Sequence, residues 1–428
     1  MRTPFPIGFW NYVSIQQQDV SAVRDWVDAG MTLAMSPGFG SDPDQIARVR
    51  AILDASQTAG IRHILCHEHA GWRHLAEVGE SAYRQHLADA LHQLGDHPAV
   101  FGLHVGDEPH EVDFPAVCRA IQIQKEMAPH LTPFCNLLPW HPGVERRVGY
   151  ASWAAYLDAY AEQARPDLLC YDCYSQMNPD QEGWDMYFTN LREFQQASQR
   201  HQIPFWTTLL SVGHFRYRCP TEDDLRWQLN TALAHGAKGL LWFFFYMRKP
   251  HSNFRIAPID EHWERSETFE WLSRVNRTFL KGPAAVVQDL TLQRVRHVGH
   301  TWGGVLAFEG SDLVRGVQSR HGTDLIISEF RHADGGANGG TVGGNYVMVV
   351  NNSQTDSTLV DLEFATPRSG VYRVDWMAQH ISVAQPDSFM GNDERACTVR
   401  FWLAPGQMEL FKVPQPVAET DQSKGGLA

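Results

Sequence analysis

Through residue 246 the chain repeats one pattern: a short apolar run, then a longer stretch with apolar residues every three or four positions. The runs are "PIGFWNYV", "MTLAMSPGF", "IRHILCHEH", "AVFGLHVGDEP", "TPFCNLLPW", "DLLCYDCYS", "IPFWTTLLSV" and "GAKGLLWFFFY". Unbroken apolar runs of this length predict strands buried on both faces, and the intervening segments predict amphipathic helices. Representative helices are "DPDQIARVRAILDASQTAG", "SAYRQHLADALHQLG" and "TEDDLRWQLNTALAHG". Several end on Gly directly before a strand, the residue that tolerates the left-handed stop of a helix. A last helix, "SETFEWLSRVNRTFL", follows the eighth strand.

Eight strands alternating with eight helices predict a (β/α)8 TIM barrel over residues 1–284. A doubly wound sheet would place a Gly-rich phosphate loop after its first strand, where this chain has "NYVSIQQQ". Beyond residue 285 the helical period disappears. Segments such as "LTLQRVRHVGH", "STLVDLEFA" and "CTVRFWLAPGQMELFKV" alternate apolar with polar positions between turn residues. They predict an antiparallel β-sandwich domain over 285–415, followed by a polar, disordered tail at 416–428. "ADGGANGGTVGGN" resembles a phosphate cradle but precedes no helix, so it reads as a loop between strands.

Composition narrows the function. With 428 residues, 43% apolar and 20% charged, the chain belongs to soluble globular proteins. A net charge of −13 disfavours nucleic acid and anionic membranes as partners. No run of about 18 apolar residues suggests a membrane span, and "MRTPFPIGFW" lacks a signal-peptide core. The seven Cys have irregular spacings, several of them within apolar runs, which points to free thiols in a reducing, cytoplasmic compartment. A signal peptide removed from the chain would instead make it secreted or periplasmic. A homo-oligomer is compatible with the sequence but nothing in it marks an interface.

TIM barrels place chemistry at the carboxyl ends of their strands. Applied to the eight runs, that rule selects Asn11 and Tyr12, then His67, Glu68 and His69, then His104, Asp107 and Glu108. It continues with Asn136 and Trp140, Asp172 and Tyr174, Ser211 and His214, and finally Trp242, Phe244 and Tyr246. The set is rich in carboxylates, imidazoles and aromatics, without Lys at any strand end before Lys249 and without phosphate-gripping Gly loops. Carbohydrate suits it better than a phosphorylated metabolite, and the 14 Trp and 22 Phe supply faces on which sugar rings stack.

"HVGDEPH" at the fourth strand end resembles the acid/base segment of the large retaining clan of (β/α)8 glycoside hydrolases, including family 42-like β-galactosidases and family 5-like enzymes. "YLDAYAEQARPDLLCYDCYS" is similar to the clan's sixth-strand region. "LNTALAHGAKGLLWFFFY" with "IDEHWERSETFEWLSRVNR" is similar to its eighth strand and closing helix. The resemblance implies that Glu108 is the general acid/base and that Trp242 floors the sugar site. Asp107 replaces the clan's Asn, which binds a sugar hydroxyl. Independently of the family, a Glu beside a second acid in a desolvated cleft has the raised pKa that protonating a glycosidic oxygen requires.

The clan's nucleophilic Glu should end the seventh strand, but "FWTTLLSVGHFRYRCPTE" has no acid before Glu222, which opens the next helix. Three explanations stand open: an inverting pair with a water between, a displaced nucleophile, or a barrel that binds sugar without cleaving it. Asp172 is the first choice for the second carboxylate and Glu68 the second. Asp107, Asn11, His67, Asn136, Tyr174, His214, Trp242 and Tyr246 are the expected substrate contacts, with Trp10, Trp72, Trp140 and Trp206 as further stacking faces. No cofactor is expected. Metal binding through His67 and His69, two alternate residues of one strand, is the minor alternative to a glycosidase acting on a β-linked glycoside or oligosaccharide.

Overall fold

The computed structural model describes residues 3–248, 253–332, 344–367, 370–374, 383–384, 389–392 and 396–413, with only the backbone at 383–384 and 389–392. Lys249, nearly all of the glycine stretch at 333–345, and the tail lie outside the described residues. Eight parallel strands form one sheet: β1 (Ile7–Phe9), β2 (Leu33–Phe39), β3 (Arg62–His67), β4 (Val100–Asp107), β5 (Thr132–Leu137), β6 (Leu169–Asp172), β7 (Phe205–Leu210) and β8 (Leu240–Phe243). From β2 to β8 each strand pairs with the next in sequence, and β8 pairs with β1. β1 and β2 meet where Thr32 donates its N–H to the Ile7 carbonyl (2.9 Å) and Ile7 donates to Thr32 Oγ1 (2.8 Å). Helices between consecutive strands complete the TIM barrel.

Two apolar layers explain why the strands read as continuous runs. One fills the barrel interior with Met35, Ile64, Phe134, Cys170, Trp206 and Leu241. The other lies between the barrel and its helices, through residues such as Trp26, Leu103, Leu209 and Trp242. Successive side chains of each strand enter opposite layers, so neither face is free to be polar. The helix over Pro43–Ala59 starts on the Asp42 side chain, which accepts from the N–H groups of Asp44 and Gln45, and stops at Gly60 with φ +76°. A Cβ at that φ is disfavoured, which is why Gly ends the helix there.

The third helix departs from expectation. It begins at Trp72, well before the amphipathic pattern at 81–95, and Gly79 (φ +77°, ψ 166°) breaks it into two segments.

After the helix Glu267–Lys281 the chain forms two antiparallel sheets. A four-stranded sheet includes Val314–Ser319, Thr358–Phe364 and Cys397–Leu403. A six-stranded one includes Leu290–Val298, Leu325–His332, Asn345–Asn351 and Met408–Val413. Ile327, Val347, Val349 and Phe411 pack between the sheets against Val360, Leu362 and Val399. Ile326, Phe330, Met348 and Leu410, on the opposite face, join the core around the barrel. The sandwich therefore docks on the barrel's helices. Ser328 Oγ donates to the Ala234 carbonyl (2.7 Å), and Trp227 Nε1 donates to Asn352 Oδ1 (2.9 Å). Cys66, Cys118, Cys135, Cys170, Cys173 and Cys219 are free thiols. Among the described residues no helix is long and apolar enough to cross a membrane.

Candidate functional site

The site is built around a bulge in β4. Against β5, His104 lies opposite Phe134, but Gly106 lies opposite Cys135 and Asp107 opposite Asn136. One residue has been inserted between these pairs, and a bulge of this kind re-aims every side chain beyond it. In a regular strand, 104, 106 and 108 would share a face. Here His104 and Asp107 do, so Asp107 comes to lie beside Asn136. Gly106 is required by close approach, because a Cβ there would overlap the six-membered ring of Trp72. Glu108 follows with φ +46°, an unusual conformation for a residue with a side chain, and donates its N–H to the Asn136 carbonyl (2.9 Å).

Asn136 joins the carboxylates of two strands. Its Nδ2 donates to Asp107 Oδ1 at 3.0 Å and to Asp172 Oδ1 at 2.9 Å. The sum of the two lengths, 5.9 Å, is the upper limit on the separation of those oxygens. Because the two N–H bonds of a planar amide diverge by about 120°, the oxygens sit roughly 5 Å apart.

Loss of hydration, and secondarily the charges of Glu108 and Asp107, raise the Asp172 carboxyl well above the usual range, against the Asn136 and Tyr174 hydrogen bonds. Burial pushes Asp107 up to about 6, with the Asn136 bond and Arg73 opposing and the Glu108 charge adding to the rise. Glu108 is also raised by desolvation, with Arg147 opposing. Among the described residues none of the three forms an ion pair, so desolvation and the charges of its neighbours, rather than a bound cation, govern the order in which the cluster gives up its protons.

The linkage can be measured. An acid whose folded pKa exceeds its unfolded value destabilises the native state above both values and has no effect below both. For Asp107, raised from 3.8 to about 6, the cost at pH 7.5 is up to about 3 kcal/mol. Asp107→Asn should therefore raise the melting temperature at pH 7.5, with the gain fading between pH 6 and 3.8. Equal destabilisation at both ends of that range would contradict the burial of this charge.

Aromatic and polar groups surround the carboxyls. Tyr174 stacks on Phe243 (centroids 5.0 Å, 25°) and meets His214 edge-on at 5.8 Å. Tyr12 is 38% exposed and contacts Phe243 at 5.9 Å. Its hydroxyl is nevertheless driven upward by desolvation and then by the Asp107 charge. Arg248 lies 4.0 Å over its ring. Beside Asp107, a pocket is lined by His67, Glu68, Trp72, Arg73 and His104. His67 Nε2, Trp72 Nε1 and His104 Nε2, from residues of this lining, and Asn136 Oδ1 beside Asp107 are buried without a partner among the described residues. Burial holds His67 and His104 at about 4, so both rings are neutral at pH 7.

Other expected contacts lie elsewhere or are saturated. Asn11 donates to Gln18 Oε1 (2.9 Å) and the Met35 carbonyl (3.1 Å) and accepts from the Val13 N–H (3.2 Å), so its polar atoms serve the fold. β8 ends at Phe243, and the expected alternation of Trp242, Phe244 and Tyr246 does not continue past it. Trp242 belongs to the outer core and donates Nε1 to Asn276 Oδ1 (3.2 Å) on the closing helix. It does not floor the site, and Phe243 takes the inner position. Tyr246 is buried in the same outer core and accepts a hydrogen bond from Trp26 Nε1 (2.8 Å).

His214 is buried among Tyr174, Tyr217, Phe243 and Phe254 with Nδ1 unpartnered. Glu68 stands at the rim with its side chain 59% exposed, 3.5 Å from His69 Nε2. Trp10 and Trp206 fill the barrel interior, Trp72 lines the pocket, and Trp140 belongs to a different cavity facing Gly303 and Gly304. Beyond β7, Ser211 bonds the Phe244 carbonyl, and Glu222 pairs with Arg274 in the outer helices.

The pairing of His67 with His69 changes too. β3 ends at His67 and a turn follows, so strand alternation does not carry to His69. His67 Nδ1 instead accepts the His69 N–H (3.1 Å), and His69 turns towards His74 and His86. These two, and Phe243, were not selected from the sequence. Their placement depends on the Gly79 break and on the end of β8, neither of which the apolar periodicity marks.

No protein-family model matches the chain, and no curated protein matches it. Solved structures do. A family 39 glycoside hydrolase from the gut symbiont Bacteroides cellulosilyticus WH2 superposes with a TM-score of 0.53 at 12% identity, over 96% of this chain and 81% of that one. A cold-adapted β-galactosidase from Rahnella sp. R3 gives a TM-score of 0.51 at 12% identity, over 68% of this chain and 58% of the other. At that identity the likeness establishes a shared fold, a parallel eight-stranded barrel of the kind glycoside hydrolases use.

Proposed function

We propose that the protein is a glycosidase acting on a β-linked glycoside or oligosaccharide, with Glu108 as the general acid and Asp172 as the companion carboxylate. The observation that carries this reading is the union of Asp107, Glu108 and Asp172 at the strand ends, tied through Asn136 and free of ion pairs among the described residues. Glycosidic cleavage needs a carboxylic acid that keeps its proton at neutral pH and a carboxylate facing the developing oxocarbenium ion. Asp172 is preferred over Glu68 because Glu68 is well exposed, and water screens its charge. Asp107, roughly 5 Å from Asp172, is the alternative acid. That spacing is the one retaining enzymes use, whereas inverting pairs stand about 6.5–9.5 Å apart. The unpartnered imidazole, indole and amide atoms beside Asp107 suit a ligand carrying many hydroxyls.

A second reading, a sugar-binding barrel without catalysis, draws on the absence of an acid at the end of β7. Hydrolysis of a panel of nitrophenyl α- and β-glycosides, with the anomer of the first product read by proton NMR, separates the two. Release of nitrophenol from β-glycosides is the expected result, and net retention in the product would favour the closely spaced Asp107–Asp172 pair. Saturable sugar binding with no turnover across the panel would establish the second reading.

A further inference from the structure

Three histidines outside the carboxyl cluster converge, one of them, His74, at the wall of the pocket beside Asp107. One ring nitrogen from each of His69, His74 and His86 lies within 4.8 Å of the others. His74 Nε2 and His86 Nδ1 are 2.8 Å apart, and the His69 ring stacks on His74 with centroids 4.6 Å apart.

The sequence does not bring these residues together by helical period. His74 and His86 are twelve positions apart on one helix, and a straight helix would hold them about 18 Å apart. They meet because Gly79 adopts φ +77° and ψ 166°, turning the segment Glu80–Ala90 back on Trp72–Val78. The turn carrying His69 is fixed from below: the Tyr83 hydroxyl (2.8 Å) and Gln124 Nε2 (2.7 Å) both donate to the Ala70 carbonyl. The histidines are thus held by buried neighbours on both sides of the break.

We propose that His69, His74 and His86 form a binding site for a divalent transition-metal ion of the zinc type. Imidazole nitrogens select zinc, cobalt, nickel or copper over magnesium and calcium, which require oxygen ligands. Zinc bonds of about 2.0–2.1 Å in a tetrahedron place ligand nitrogens about 3.3 Å apart, so the His74 and His86 rings need separate only slightly from their present bond.

His69 brings two further features. Its Nδ1 is buried without a partner, and its Nε2 faces Glu68 at 3.5 Å. A carboxylate on the second ring nitrogen fixes the tautomer of a metal-bound histidine and strengthens it as a ligand. The three rings leave a fourth position to water. Because His74 also lines the pocket reached by Asp107, the ion would brace that wall of the pocket. The site stands independently of the glycosidase reading.

The test uses the full chain, stripped with EDTA and desalted, then titrated with Co2+ read by its visible absorption and with Zn2+ in competition with a chromophoric chelator. Expected are one equivalent bound per chain and a tetrahedral-type Co2+ spectrum. The affinity should fall about a hundredfold in His74→Gln or His86→Gln and about tenfold in Glu68→Gln. His321→Gln, on the sandwich, should bind as wild type does. Circular dichroism verifies that each variant is folded. If the helix variants do not fold, His69→Gln, in the turn, replaces them. A wild-type chain that shows no Co2+ band and no competition for Zn2+ overturns the site. So does stoichiometric binding undiminished in the folded His variants.

Discussion

Replacing Glu108 with Gln should lower kcat/KM about a thousandfold on β-glycosides with poor leaving groups, such as methoxyphenyl, and about tenfold or less on dinitrophenyl glycosides. The substitution preserves size and shape but removes the transferable proton. A poor leaving group must be protonated as the bond breaks, whereas a dinitrophenolate leaves unaided, so the penalty should scale with leaving-group pKa. Wild-type activity should fall on the alkaline side as the raised Glu108 carboxyl loses its proton. In the Gln variant that limb should flatten, because no acid remains to titrate. A uniform loss across all leaving groups would mean that Glu108 positions substrate rather than protonating it. If activity is unchanged, the role passes to Asp107, whose carboxyl is also raised and which shares the Asn136 amide with Asp172.

The site is partly legible in the sequence, and the division has physical causes. Apolar runs followed by Gly stops locate strand ends, and a barrel turns strand ends into a shared rim. That much brings Asp107, Glu108, Asn136 and Asp172 into one neighbourhood without coordinates. Which of two adjacent acids turns inward is set by the bulge between His104 and Gly106. A bulge adds one residue to a strand without changing its hydrophobic content, so the sequence carries no sign of it.

Trp242 fails for a related reason. All five residues at 242–246 are aromatic, and only the register with β1 and β7 decides that Trp242 points at Asn276 and Phe243 at Tyr174. Asn11 looked available because its hydrogen-bond partners, Gln18 and Met35, are brought to it only by closure of the barrel. The meeting of His74 with His86 rests on the φ of a single glycine.

Asp172→Asn should be the most damaging single change, with kcat reduced about 10⁴-fold on every β-glycoside whatever its leaving group. The carboxylate that faces the anomeric carbon acts on the sugar and not on the departing oxygen, so leaving-group pKa should not soften its loss. This distinguishes it from Glu108→Gln with the same substrates. Asn can still accept the Asn136 hydrogen bond, so the rim geometry should survive, and small anions supply a second reading. Azide or formate should restore activity to Asp172→Asn if Asp172 is a nucleophile, and the recovered glycosyl azide would carry the anomeric configuration opposite to that of the substrate.

Glu108 and Asp107 are the two charges that push Asp172 upward. Neutralising either of them, in Glu108→Gln or Asp107→Asn, should therefore lower the pKa of the Asp172 carboxyl. An Asp172→Asn variant that keeps wild-type kcat would remove Asp172 from the reaction and leave Asp107 and Glu108 as the pair to test.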